Sequence, residues 1–136
     1  MSLGRKTLCA ELCLAMTMVA IAQNTAYKQD PNWTSPPEAA GKQNPLKGKP
    51  QVLAGGKKLF LRHCVECHNQ DGSGLKQAAD LQLPVVQNQS DGTLFWKITN
   101  GNLPHNMPSF SNLPEAQRWQ LVSFLRTLRP EPASEP

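Results

Sequence analysis

The sequence predicts an all-α domain of three main helices, and two observations carry that class. Apolar residues recur at intervals of three and four in three stretches, about 51–64, 91–100 and 114–128. No stretch shows the sustained apolar–polar alternation of a half-buried strand. A third observation fixes where the helices converge: the pentapeptide Cys64-Val65-Glu66-Cys67-His68 follows directly on the first helical stretch.

Length and composition bound the rest. The chain has 136 residues, which allows one domain with extensions. It is 39% apolar and 18% charged, ordinary for a soluble protein, but its 12 prolines lie mostly outside the centre. The organisation read from this is a signal segment at 1–22, a Pro-rich polar linker at 23–50, a folded domain at 51–130 and a disordered tail at 131–136.

At the start, Arg5 and Lys6 precede an apolar run from Thr7 that ends in Ala20-Ile21-Ala22. A positive region, an apolar region and a small-residue end together read as a secretory signal cleaved after Ala22. Glu11 interrupts the run, which is too short and too polar for a membrane span. An uncleaved segment would instead leave the protein associated with the membrane. Lipidation fits poorly, because Leu8 and Leu12 precede Cys9 and Cys13 where a small residue is wanted. The expected location is therefore periplasmic or otherwise exported. Cleavage removes Arg5, Lys6 and Glu11, so a chain with 14 basic and 10 acidic side chains keeps a net charge of only +3. That balance argues against nucleic acid as a partner.

Residues 23–50 carry Asp30-Pro31, Pro36-Pro37, Asn44-Pro45 and Lys49-Pro50 among Asn, Gln and Lys. So polar a stretch buries little surface against its conformational entropy, and it reads as a tether or loose wrap. Tyr27 and Trp33 are its two aromatic exceptions, either packed on the domain or exposed. The first helix, about 51–64, places Val52, Gly56, Leu59, Phe60 and His63 at helical spacing. Its glycines need a reason, since each costs up to about 1 kcal/mol relative to alanine. Close approach of another helix over Gly56 supplies one.

Past His68, Asp71-Gly72-Ser73-Gly74 marks a tight turn, and 75–89 shows few regular features. Coil of that length needs something to organise it. Ser90 or Asp91 caps the second helix, which has Leu94, Phe95 and Ile98 on its apolar face and stops at Gly101. Trp96 lies towards another side. A loop with His105 and Met107-Pro108 leads to the third helix, opened by Pro114 and Glu115 and patterned by Trp119, Leu121, Val122, Leu125 and Leu128. It ends before Pro130, and Arg126 and Arg129 suit its negative end.

The chemistry is in the pentapeptide. Two cysteines separated by two residues and followed at once by histidine make the attachment motif of c-type haem. Two thiols one helical turn apart each form a thioether to a vinyl group, and the adjoining imidazole reaches the iron. Three other readings compete: a structural zinc site, a thioredoxin-like dithiol, and a plain disulfide between Cys64 and Cys67 in a haem-free chain. Zinc wants four ligands, and the only other histidines are His63 and His105. The dithiol wants alternating strands and helices, which are missing. With haem present, flat and apolar, the 75–89 stretch acquires its organiser. Leu81, Leu83, Val85 and Val86 become candidates to line the haem edge, and a carbonyl near Leu83-Pro84 to hold the other nitrogen of His68. Met107 is the one methionine beyond the signal segment, and a thioether is a soft ligand suited to haem iron. His105 is its rival as ligand, and core filling is the alternative use of Met107.

Together, Gly56-x-x-x-Phe60, Cys64-Val65-Glu66-Cys67-His68, Ser90-Asp91-Gly92, Met107-Pro108 and the Trp119–Leu128 helix resemble a class I monohaem cytochrome c of the small exported bacterial kind. The resemblance spans Val52 to Leu128. It implies the cytochrome c fold, three main helices around one covalent haem, with the first and last crossing at Gly56 and Phe60. It also implies attachment through Cys64 and Cys67 and iron ligation by His68 and Met107. Asn69 stands where many relatives have glycine. The function so implied is one-electron transfer with redox-protein partners and no enzymatic activity. Lys57, Lys58, Arg62 and Lys76 then form either a weak positive docking rim or an ordinary solvated face. A haem-bearing subunit of a dehydrogenase or oxidase complex, or a five-coordinate ligand sensor lacking the Met107 bond, are the alternatives.

Overall fold

The computed structural model describes residues 27–130. Its helices are α1 (Pro37–Ala40), α2 (Leu53–His63), α3 (Val65–His68), α4 (Pro84–Gln87), α5 (Asp91–Asn100) and α6 (Glu115–Arg126). Short 3-10 turns precede α2 at Pro50–Val52 and follow α5 at Leu103–His105. Among the described residues no strand forms; the one isolated bridge joins Asn102 to Met107. The all-α class and its three main helices are thus as the periodicity predicts, and the signal segment lies outside the described residues.

Helices α2 and α6 form the frame. They cross where α2 has no side chain to hold them apart: a Cβ at Gly56 would collide with the Gln120 carbonyl oxygen and lie 2.8 Å from Phe124 Cβ. One turn on, Phe60 is fully buried and its ring meets Phe124 at 5.2 Å between centroids. Burying a phenylalanine so completely is worth about 2–3 kcal/mol. Trp119, Leu121, Val122 and Leu125 carry the α6 face of the same core. Helix α5 joins it by stacking Phe95 on Trp119, 4.0 Å between centroids.

The second helix begins as its sequence specifies. Ser90 Oγ accepts the Thr93 backbone N–H, Asp91 sits in the first turn, and Gly101 ends it at φ 66°. Arg126, in the last turn of α6, does more than balance the helix dipole. Its guanidinium donates to Asp91 Oδ1 (2.8 Å) and to the carbonyls of Gln87 (2.7 Å) and Gln89 (2.6 Å), tying α6 to α4 and α5.

The polar 27–50 segment lies against these helices through isolated side chains. Asn44 is buried and donates to Ser123 Oγ (3.0 Å), while its Oδ1 accepts the Leu46 N–H (2.9 Å). Ser90 Oγ donates to the Ala40 carbonyl (2.7 Å), and a Cβ at Gly92 would strike the Ala39 carbonyl oxygen. Trp33 is partly buried and donates from Nε1 to the Gly101 carbonyl (3.0 Å).

The contact at Gly56 is backbone on backbone, so neither partner can rotate away. Gly56→Ala is expected to destabilise the domain by about 2–3 kcal/mol, read as a lower denaturant midpoint with an unchanged slope. An unchanged midpoint would mean that α2 and α6 do not cross here.

Candidate haem site

Between α3, α4, α5 and the loop after α5 lies a cavity of about 570 Å³. Its apolar wall comes from every helix of the core and includes Phe60, Leu81, Val86, Leu94, Leu121 and Leu125. Cys64, Cys67, His68 and Met107 all line it. The four residues singled out from the sequence therefore share one space, although Met107 arrives from a loop far along the chain. A separate groove of about 650 Å³ between the 42–50 segment and α6 is lined by lysines, glutamines and arginines, with no His, Cys or Met.

The pentapeptide is a helical turn set at an angle to α2. The break falls at Cys64, whose φ of −122° leaves the helical range, and α3 then runs Val65–His68. Asn69 ends it at φ 62° and ψ 164°, a combination that glycine adopts most readily. Its side chain braces the turn, Nδ2 donating to Ser73 Oγ (3.1 Å) and Oδ1 accepting the Gln70 N–H (2.9 Å). The next turn folds back on the motif: Gly74 N–H donates to the His68 carbonyl (3.0 Å) and Leu75 N–H to the Cys67 carbonyl (2.8 Å). Gly72 and Gly74, at φ 81° and 77°, permit that reversal.

The reversal brings the Ala79 carbonyl 3.0 Å from His68 Nδ1. This corrects the expectation of a carbonyl near Leu83-Pro84: Leu83 is instead the N-cap of α4, and its carbonyl accepts from Val86 and Gln87 within that turn. With Nδ1 donating to Ala79, the lone pair of Nε2 is left for a metal. Burial holds the His68 pKa below the usual imidazole value, against the Ala79 carbonyl, which acts to raise it. A neutral imidazole is the form that ligates. Leu81 and Val86 are buried and line the cavity as expected; Leu83 does not line it, and Val85 is 48% exposed. Trp96 stays outside as well, and Lys97 with Trp33 takes the place beside the cavity.

The competing readings find little support. Cys64 and Cys67 are not joined to each other. Burial, with the neighbouring Cys67 adding to it, pushes the Cys64 thiol up to about 12, the reverse of the lowered value that makes a dithiol reactive. Among the described residues no cluster of three or more His, Cys, Asp or Glu side chains could hold a metal ion. His105 lines the cavity too, but its side chain is 52% exposed and its Nδ1 faces Asn102 Oδ1 (3.2 Å) and Asp30 Oδ2 (3.6 Å).

An apolar cavity of this size, two thiols one turn apart on its rim and an imidazole oriented by a carbonyl fit a haem attached through thioethers. Fold and site together define a c-type cytochrome domain, whose cofactor is covalently bound haem c. Residues 51–125 match the family described as Cytochrome C oxidase, cbb3-type, subunit III, and the chain belongs to that family. It is 36% identical over 88 residues to the Cbb3-type cytochrome c oxidase subunit CcoP of Helicobacter pylori, a match covering 60% of this chain. It is 26% identical over 86 residues to the Cytochrome bc1 complex cytochrome c subunit of Corynebacterium diphtheriae, covering 62% of this chain. Both matches take in 30% of the relative's own length. Among solved structures, the KustC0563 c-type cytochrome superposes with a TM-score of 0.51 at 28% identity, over 55% of this chain and 98% of that one.

Attachment is tested by extraction. Acidic acetone is expected to leave the pigment on the unaltered polypeptide and to release it from the Cys64→Ala/Cys67→Ala double variant. Release from the unaltered protein would remove the thioether assignment.

Proposed function

We propose that this chain is a one-electron carrier, not an enzyme, whose haem iron is held by His68 and Met107. The carrying observation is that both side chains line the cavity that the two cysteines border, each held by its own hydrogen bonds. His68 is oriented by the Ala79 carbonyl; Met107 is paired through both its N–H and its C=O to Asn102, at 3.0 and 2.8 Å. Haem bound there supplies a reversible ferrous–ferric change. Two protein ligands leave no vacant position for a substrate. A thioether and an imidazole as the iron ligands, inside apolar walls, would favour the reduced state and raise the potential.

The partners we propose are redox proteins on the outer side of an energy-transducing membrane, in keeping with the complexes named for the relatives. Lys57, Lys58, Arg62 and Lys76 are all exposed, and they would steer acidic partners toward the cavity mouth, which Lys76 borders. Among the described residues no helix is long and apolar enough to cross a membrane. A second reading, a subunit held within a respiratory complex, is favoured by the names of those same relatives. Fractionation separates the two: a free carrier is recovered in the soluble exported fraction, a subunit with solubilised membranes.

Met107→Ala is the direct test of the ligand set. The ferric protein is expected to lose its red-edge sulfur-to-iron charge-transfer band, the ferrous form to gain carbon monoxide binding, and the potential to fall. Persistence of the band would take the role from Met107.

A further inference from the structure

Met107 closes a loop, 102–107, whose internal hydrogen bonds mostly return to Asn102. Residues 103–106 are exposed, Leu103 to 73%, and Asn106 holds a left-handed φ of 62°. Both backbone hydrogen bonds of Met107 go to Asn102. Whatever fixes Asn102 therefore fixes Met107.

Asn102 is held on one side by the end of α5, where the Gly101 N–H donates to the Lys97 carbonyl (2.8 Å), and by His105, and on the other by residues some seventy positions earlier in the chain. Asn102 Nδ2 donates to Asp30 Oδ2 at 3.3 Å, and His105 Nδ1 lies 3.6 Å from the same oxygen. Immediately before Asn102, the Gly101 carbonyl accepts Trp33 Nε1 at 3.0 Å. The Trp33 ring is itself held by Lys97 of α5, whose Nζ lies 4.5 Å from the ring centroid; Lys97 is only 8% exposed. Asp30 and Trp33 are set relative to each other by a turn, in which Asp30 Oδ1 accepts the Asn32 N–H (2.9 Å) and the Asp30 carbonyl the Trp33 N–H (3.2 Å).

We infer that Asp30 and Trp33 are positioning residues for the sixth iron ligand: the 30–33 turn clasps Gly101 and Asn102, and so holds Met107 where it meets the iron. This rests on Met107 being that ligand. The leading segment of the chain then decides whether the haem is a closed electron carrier or opens a coordination site. Asp30 and Trp33 also border the cavity, but none of the clasp's contacts reaches α3, so releasing it leaves the cysteines and the Ala79 bond of His68 in place.

The test uses the full-length holoprotein with Asp30→Asn, Trp33→Phe and the double variant. Asn keeps the acceptor that closes the turn at Asn32 but cannot accept from Asn102; Phe keeps a ring beneath Lys97 but has no N–H. The ferric charge-transfer band is measured relative to total haem, and carbon monoxide affinity is measured on the ferrous form. Apparent affinity rises with the fraction of protein whose iron is open, so the double variant is expected to bind carbon monoxide about tenfold more tightly, with a weakened ferric band and smaller changes in each single variant. A merely structural clasp would lower the melting temperature and leave band and affinity unchanged, which overturns the inference. If the unaltered protein shows no such band, the Met107 reading fails and takes the inference with it. A band in the unaltered protein that the double variant keeps in full removes the inference alone.

Discussion

The close crossing of α2 on α6 is the constraint from which the rest of the molecule follows. Because Gly56 presents no side chain, the α2 backbone meets the Gln120 carbonyl directly, and the two helices can share one small set of aromatic and aliphatic side chains. That places the end of α2, and therefore Cys64, at a fixed position on the rim of the cavity. The other face of the same side chains is the cavity wall: Phe60, Leu121 and Leu125 belong to both the helix interface and the haem surround. A domain of this size has a marginal core without a staple, and a covalent haem in a cavity walled by residues that also join the helices would be that staple.

The two sides of the site are built differently. His68 sits in a helical turn, backed by two glycines in left-handed conformations and by hydrogen bonds local to residues 67–81. Met107 sits in an exposed loop whose supports come from α5 and from the chain's leading segment. Local unfolding draws on regions with few buried contacts, so the loop that carries Met107 is the side of the cavity expected to open first. An electron carrier needs a ligand set that does not change with oxidation state, and contacts that limit such opening serve that need.

The helices, their caps and the haem motif were legible because each is written in neighbouring residues. Ser90 and Gly101 bracket α5, and three- and four-residue spacing marks the buried faces of α2 and α6. The His68-orienting carbonyl was misplaced by four residues because it depends on the φ values of Gly72 and Gly74, which decide how sharply the chain returns, and not on any pattern at 79 itself. Pro84 at the first position of α4 is a helix-start signal, but a four-residue turn is too short to show periodicity. The contacts of residues 30–46 were illegible for another reason. They are made by single polar side chains such as Asn44, Ser35 and Asp30, which look the same in sequence whether solvated or paired across the fold. Lys97 misleads likewise: a lysine on a helix suggests solvent, and only the Trp33 ring above it explains its burial.

X-ray absorption at the iron edge in both oxidation states reads directly whether His68 and Met107 both ligate a haem welded into this cavity. With both bound, one sulfur scatterer is expected among the nitrogens on the iron, unchanged between ferrous and ferric protein. A coordination shell of nitrogen and oxygen only, or one that loses a ligand on reduction, would contradict it.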